Sequence, residues 1–432
     1  MVVYVLSKNK EPLMPTKHFG KVRHLLKDGK ARVVKSCPFT IQLLYETTTY
    51  TQDLTLGVDT GSGEIGCSVT TENVDKNGQK HILYKSNVEV RNDIKSKMDR
   101  RRKYRRTRRS RKLYRPARFQ NRKNSKRTDR FSPTMISKIH SHVKEIEFIQ
   151  KILPITKIVL ETGQFDTHLM QNPNLSNQNV KHLGYQKGPN YGFANTKARV
   201  LNRDGYQCQY CKTKKKGTRL DVHHIIFRSH GGSDDAENLI TLCHSCHVAL
   251  HKGQIQPNFK GKKKGNLNYA TQMNSIRIQL LRYYSDAIET FGYITKENRQ
   301  KLGLPKDHYI DACVIATGGV SFIDDTNLVY YKKSVAKGDY QQTKGSRSEV
   351  KLPTGKIYGF KKFDKVLYRG HEYFIKGRMS NGYCILMDIH GNKIDFSNQP
   401  KGFKTPKFEN LKRIGGRTSC LVIAEVDTLN IV

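Results

Sequence analysis

Apolar positions along this chain come in short runs, and their spacing switches repeatedly between a period of roughly 2, which suits strands, and one of roughly 3.6, which suits helices. Val2 to Leu6, Ala31 to Val34 and Phe39 to Leu44 are brief apolar runs among basic positions, the texture of a small α/β unit over residues 1–52. Leu54 to Val58 predicts a strand that ends in Asp59 and a glycine turn, and Ile65 to Val69 predicts a second. Lys157-Ile158-Val159-Leu160-Glu161 repeats the arrangement, an apolar strand closing on a carboxylate. Ile139, Val143, Ile146, Ile149 and Ile152 keep helical spacing and predict a helix from Ile136 to Leu153. The same spacing over Ile276, Leu280, Tyr283, Tyr284, Ala287, Ile288 and Phe291 predicts another, its aromatic stripe facing a core. Asp307-His308-Tyr309-Ile310-Asp311 opens an apolar helical segment through Ala316, with His308 and Asp311 on one face. Past residue 322 the texture becomes short strands, Lys365 to Tyr368, Glu372 to Ile375 and Tyr383 to Ile389, separated by glycine turns. Residues 166–198, rich in Asn, Gln, Gly and Pro, read as a linker, and Gly253 to Gly265 as a second join carrying Lys262-Lys263-Lys264.

Charge changes this picture. Over 432 residues, 78 Lys and Arg face 37 Asp and Glu, a net charge of +41 that repels itself unless a polyanion offsets it. Nucleic acid is the natural counterion. No run of about 18 apolar residues predicts a membrane span, and the N-terminal residues lack the apolar stretch of a signal peptide. Five of the nine cysteines, Cys37, Cys67, Cys313, Cys384 and Cys420, are scattered without a framework, which predicts a reduced intracellular setting. The positive charge is concentrated: residues 97–130 hold 18 Lys or Arg in 34 positions, among them Arg100, Arg101, Arg102, Arg105, Arg106, Arg108, Arg109 and Arg111. A helix from Ile94 to Tyr114 is sterically allowed there, although like charges one turn apart destabilise it until phosphates surround it. Tyr104 and Tyr114 add stacking surfaces.

The densest chemistry lies between residues 208 and 247. Cys208-x-x-Cys211 and Cys243-x-x-Cys246 place four thiolates where two tight turns close a tetrahedral zinc site. Between and after them come His223-His224 at the end of a predicted strand, Asn238, and His247 at the start of a predicted helix. This order resembles the HNH endonuclease motif, a ββα-metal fold. The resemblance implies that His224 is the general base toward water, that His223 and His247 hold one Mg²⁺, and that Asn238 orients the loop carrying the base. A plain zinc ribbon has no need of these histidines and this asparagine at these offsets.

Asp59, Glu161 and Asp311, from two strand ends and a helix, with His308 beside them, form a set that can converge on Mg²⁺ for in-line phosphodiester hydrolysis. Taken in this order around an HNH insert, they resemble the split RuvC-like nuclease of the RNase H fold. That resemblance implies Asp59, Glu161 and Asp311 as magnesium ligands and His308 as activator of the attacking water. Glu11-Pro12-Leu13-Met14-Pro15 matches the motif that names the PLMP domain, and the chain as a whole resembles the IscB family, transposon-encoded relatives of the type II CRISPR effectors.

The expectation is therefore an α/β multidomain chain: a PLMP domain over 1–52, RuvC segments at 53–93 and 132–165, an Arg-rich bridge helix at 94–131, and a linker at 166–198. An HNH domain with structural Zn²⁺ at 199–253, a join with the third RuvC segment at 254–321, and a β-rich domain reading a target-adjacent motif at 322–432 complete it. The resemblance further implies one protein bound to a long structured guide RNA (omega RNA), acting on double-stranded DNA with a short flanking motif. HNH would cut the guide-paired strand and RuvC the displaced strand, in a prokaryotic cytoplasm and at the nucleoid when bound to DNA. Two other readings remain open at this stage, an unguided HNH endonuclease of the homing or restriction type and a non-catalytic RNA-binding zinc protein.

Overall fold

A computed structural model of the chain describes residues 2–110, 131–171, 190–214, 217–261, 267–336, 355–398, 400 and 404–427. It divides into two units, Met1–Gln164 with Gln272–Val432, and Phe165–Thr271. Among the described residues no helix is long and apolar enough to cross a membrane.

The first unit begins with β1 (Val3–Leu6), β2 (Pro12–Thr16), α1 (Phe19–Lys27), β3 (Ala31–Ser36) and β4 (Phe39–Leu43). These strands form a sheet in the order β2-β1-β4-β3 over a core of Val3, Val5, Val22, Ile41 and Leu43. Pro12 and Pro15 are tolerated in β2 because it is an edge strand, where a missing backbone donor breaks no central ladder.

The larger sheet is assembled from distant segments: β5 (Leu54–Asp59), β6 (Glu64–Thr71), β7 (Lys80–Glu89), then, after α2 (Ile94–Ser110) and α3 (Pro133–Gln150), β8 (Ile155–Thr162). From α7 (Asn268–Tyr283), which begins at the end of the second unit, onward come β11 (Ile288–Phe291), α8 (Gly292–Lys301), α9 (His308–Thr317), β12 (Phe322–Asp324), β13 (Leu328–Ser334) and, last among the described strands, β18 (Cys420–Val426). The strand order is β11-β8-β5-β6-β7-β13-β18, with β12 also on β7. β5 runs parallel to β8 and antiparallel to β6.

All six residues of β5 are buried, because helices cover both faces of a central strand. Alternation sorts them. Leu54, Leu56 and Val58 join Ile139, Val143, Ile146 and Ile149 of α3 and Ile276 and Leu280 of α7 in one core. Gly57 lies on the opposite face, beneath α9, so Asp59 two residues on shares that face. The approach of α9 is possible only without side chains. A Cβ on Gly57 would stand 2.5 Å from the Ala316 nitrogen, and one on Gly66 would stand 1.9 Å from the His308 carbonyl oxygen.

Two predicted elements differ from those found. The helical spacing from Ile276 to Phe291 ends with α7 at Tyr283, and Ile288–Phe291 is instead β11, parallel to Val159–Thr162. A turn at residues 284–287 interrupts the helix, and an open edge of β8 recruits the β-branched Ile288 and Thr290. The segment from 322 onward does not form one separate β-rich domain: β12, β13 and β18 belong to the large sheet. Among the described residues of this segment, β14 (Lys365–Tyr368), β15 (His371–Arg378), β16 (Cys384–Met387) and β17 (Lys412–Gly415) make a sheet of their own, in the order β16-β15-β14-β17.

Buried charge ties the large sheet together. The Lys332 ammonium of β13 donates to the Glu145 carboxylate of α3 at 2.6 Å and to the Tyr84 hydroxyl of β7 at 2.6 Å, while Glu145 also accepts from Tyr84 and Ser86. Lys85, fully buried, is held by Asp324 and Asp427. Breaking such a pair from one side strands a charge. Glu145→Leu is expected to destabilise the first unit by about 3–5 kcal/mol, and Lys332→Met added to it should recover most of the loss. Denaturant midpoints of the two variants check this.

Candidate functional site

In the first unit the site grows from strand register. Asp59 and Glu161 are paired neighbours at the ends of β5 and β8, and the first turn of α9 brings His308 and Asp311 over them. His308 Nδ1 lies 2.6 Å from an Asp59 carboxylate oxygen, and its Nε2 lies 3.5 Å from Glu64. That hydrogen bond, outweighing burial, raises the His308 imidazole above its ordinary range. Burial first and the Asp59 charge second push Glu161 up to about 7, and the same two causes raise Asp311. The four residues singled out from the sequence thus meet at one end of the sheet. Crowding in a half-buried place disfavours the charge of Glu161 and Asp311, although, unlike the cysteine and histidine clusters of the second unit, these carboxylate oxygens do not all lie within 4.8 Å of one another.

Two residues that neither motif nor spacing marks hold this cluster. On α8, Thr295 and Arg299 stand one turn apart on one face. The Thr295 side chain hydrogen-bonds Glu161, and Arg299 Nε lies 2.7 Å from Asp311 Oδ1. Gly292 at the start of the same helix leaves room for Glu161, whose Oε1 would lie 3.0 Å from a Cβ there.

The second unit contains α4 (Thr167–Gln171), α5 (Thr196–Arg203), the hairpin β9 (Leu220–His224) with β10 (Leu239–Cys243), and α6 (His244–His251). Cys208, Cys211, Cys243 and Cys246 bring their sulfurs within 4.8 Å of one another, and Cys211 Sγ lies 3.8 Å from Cys243 Sγ. A tetrahedron with Zn–S bonds of about 2.3 Å has edges of about 3.8 Å, so the donor set fits zinc.

Alternation on β9 separates the two adjacent histidines. His223 is buried and faces the rings of His247 and His251 at 5.1 Å each, and ring nitrogens of these three lie within 4.8 Å of one another. His251 was not anticipated, although its spacing of four from His247 puts both on one face of α6 and was the available signal. Burial, then repulsion from His247 and His251, drives His223 down to about 4, and burial lowers His247 too. Neutral imidazoles are ligands in waiting. The Asp221 carboxylate lies 3.9 Å from His247 Nδ1, which turns the other ring nitrogen toward His251 at 3.2 Å.

His224 lines a groove of about 540 Å³ together with Lys197, Arg219, His244 and His247, its Nε2 2.8 Å from Asp234 and 3.2 Å from Arg228 Nε. Asn238 is fully buried: its Oδ1 accepts from the Ile226 nitrogen, and its Nδ2 donates to the carbonyls of Ile226 and Ser233, at 2.9–3.0 Å. It stitches the loop that follows His224.

Of the expected nucleic-acid residues, Arg100, Arg101, Arg102, Arg105 and Arg106 lie exposed on α2, Arg108 and Arg109 fall within its last turn, and Arg111, like Tyr114, lies outside the described residues. The helix starts where Asp93 pairs with Lys97 and Ile94 is buried. Lys97, Arg100, Arg101 and Tyr104 line a groove of about 1880 Å³ together with Lys35 and Lys144.

Residues 3–188 match the RRXRR protein family, a domain type of Cas9 and IscB proteins, and residues 208–253 match the HNH endonuclease family. The chain belongs to the IscB/Cas9-like nuclease family. A 71-residue segment of this family member is 39% identical to anaredoxin from Nostoc sp. (strain PCC 7120 / SAG 25.82 / UTEX 2576), covering 16% of this chain and 90% of that protein, so that segment and anaredoxin share a family. Among solved structures, Streptococcus thermophilus Cas9 in complex with the AGAA PAM is 13% identical at a TM-score of 0.30, covering 57% of this chain and 32% of that one. The Type II-C Cas9 enzyme from Actinomyces naeslundii is 11% identical at a TM-score of 0.23, covering 62% of this chain and 60% of that one. The IscB/Cas9-like chain thus spans about a third of the length of the first and three fifths of the second.

Two outcomes test the site chemistry. Cys243→Ser should abolish binding of about one zinc per chain and expose the amides of residues 190–261 to rapid hydrogen exchange, read by elemental analysis and mass spectrometry. Glu161 is the second test. Its folded pKa of about 7 exceeds the ordinary 4.5, so the folded chain keeps a proton that the unfolded chain has lost, and stability falls as pH rises through that window. Glu161→Gln should therefore stabilise the metal-free protein above pH 7, by up to roughly 3 kcal/mol, with no gain below about pH 4.5. Thermal unfolding at the two pH values reads the difference.

Proposed function

We propose that the chain is an RNA-guided DNA endonuclease in which two separate centres each cut one strand. The observation that carries this reading is the convergence of Asp59, Glu161, Asp311 and His308 at one end of the large sheet, in a chain whose other unit holds an HNH module with its own histidine cluster. An unguided HNH enzyme has no use for the first set.

In the second unit His224 takes the proton of the attacking water, and Asn238 fixes the loop so that the imidazole keeps its aim. His223, His247 and His251 would hold one divalent cation. Three imidazoles are a donor set better suited to a transition ion such as Zn²⁺ or Ni²⁺ than to the Mg²⁺ expected from His223 and His247 alone. In the first unit Asp59, Glu161 and Asp311 would hold Mg²⁺, while Thr295 and Arg299 keep two of these carboxylates in place. His308 exchanges a proton with water once its hydrogen bond to Asp59 is given up. Bound cations supply stabilisation of the charge that develops on the phosphate and the leaving oxygen.

The net charge of +41 and the groove walled by Lys97, Arg100, Arg101 and Tyr104 support a phosphate-rich partner along α2. In this reading it is the guide RNA, base pairing reads the target sequence, and protein reads duplex shape and a short flanking motif. The HNH centre cuts the paired strand and the carboxylate centre, RuvC-like in residues and order, cuts the displaced strand.

Strand-specific end labelling with guide-loaded protein tests the division of labour. His224→Ala should leave only the displaced strand nicked, and Asp59→Ala only the paired strand, each lost cut falling by about 100-fold or more. Loss of both cuts from either substitution, with guided binding retained, would show that the centres are not independent. Protein purified with only heterogeneous nucleic acid, and no discrete RNA, would count against guidance itself.

A further inference from the structure

The sheet β16-β15-β14-β17 is preceded by a two-residue hairpin turn. Ile357 and Phe360 exchange both backbone hydrogen bonds at 3.0 Å, and the residues between them, Tyr358 and Gly359, have φ of 49° and 82°. Two successive positive φ values suit Asn-Gly, and a bulky side chain at the first is disfavoured by its Cβ. The chain nevertheless places a tyrosine there and exposes it, at 61%. A strained residue that packs into no core points to a use for its side chain.

The ring is held in a defined orientation. It stacks on Phe408 at a centroid distance of 5.4 Å and an interplanar angle of 21°, and its hydroxyl donates to the Ser380 carbonyl at 3.3 Å. Phe408 is itself buried and stacked against Phe360 at 5.3 Å and 19°, so the support beneath the exposed ring is part of the sheet's core. Cations flank it. Arg378 donates to the carbonyls of Gly355 and Phe360 on either side of the turn, and Lys407, adjacent to Phe408 and paired with Glu409, stands over the Tyr383 ring at 5.8 Å.

We propose that Tyr358 is a stacking platform for an unpaired base of single-stranded nucleic acid, with Arg378 and Lys407 providing the positive surroundings its backbone needs. A rigid, half-covered aromatic ring offers one π-face, which matches a base only when that base's own face is not hidden in a duplex. Stacking of this kind reads no sequence. The inference rests on the reading of the chain as a nucleic-acid-binding protein and adds a site to it outside both cutting centres; Arg378 borders the α2 groove, and Tyr358 does not line it.

The chain contains no tryptophan, so Tyr358→Trp installs a sole indole reporter at the platform. Titrating the full-length protein with single-stranded RNA or DNA of about 12 nucleotides, within the span such surfaces bind, should quench that fluorescence saturably. Tyr50→Trp, at a position 94% exposed, should be quenched far less. By fluorescence anisotropy of a labelled oligonucleotide, Tyr358→Ala should weaken binding about tenfold, and Tyr358→Phe should stay within about twofold of the parent. Quenching by either strand supports the platform and tells which sugar it accepts. Anisotropy that reports binding while the indole at 358 stays unquenched, or quenches equally with a blunt duplex, overturns the platform and leaves the nucleic-acid reading standing. No binding by anisotropy overturns both.

Discussion

Where α9 crosses the large sheet, two backbones lie in contact, because Gly57 and Gly66 present no side chain to the helix. A protein interior is packed too tightly to absorb an added carbon at 2.5 Å or 1.9 Å from backbone atoms, so this contact fixes the depth of α9. Depth decides chemistry here. His308 is 249 positions from Asp59 in the chain, and the contact sets the 2.6 Å between their side chains. Register does the same across the sheet, since Asp59 and Glu161 meet only if β5 and β8 pair as they do, and a slip of one residue would turn one carboxylate to the opposite face.

Bringing carboxylates together in this way costs stability, visible in the raised Glu161 and Asp311. Local cations offset part of that cost. The His308 imidazole lies against Asp59 and the Arg299 guanidinium against Asp311, so positive charge already neighbours the cluster. In the proposed metal-binding role, the same carboxylates would have to persist in a folded chain without the ion and yet favour it strongly. Charge buried elsewhere in the sheet is balanced differently. Lys332 and Lys85 are each satisfied by carboxylates and hydrogen bonds within the fold and join the last strands to the first.

Among the described residues the second unit has two small apolar clusters, one around Cys208, Ile240, Leu242 and Cys243 and one of Val200, Ala236 and Leu239, and the first includes two of the cysteines themselves. Four thiolates at zinc spacing can hold a hairpin, a turn and a helix end together where burial cannot. On that frame β9 alternation sends His223 inward and His224 outward, while Asn238 replaces absent secondary structure by satisfying the backbone of the loop.

Much of this was legible in the sequence. The thiolate pairs, the His-His strand end and the carboxylates closing two apolar strands are local patterns, and local geometry alone places such residues at strand ends, on helix faces or in turns. Spacing also marked β5, β6, β8, α3 and α9. What it could not reveal depends on partners remote in the chain. Ile288 to Phe291 keeps helical spacing yet forms β11, because the open edge of β8 offers backbone hydrogen bonds that periodicity does not record. Strands β13 and β18 joined the large sheet for the same reason, and Thr295 and Arg299 acquired their place only when α8 docked beside Glu161 and Asp311. The sequence by itself determined which chemical groups are present and on which local element each rides. Tertiary structure alone decided which of them meet, because that depends on strand register and on the closeness of two backbones, neither of which is a property of any single segment.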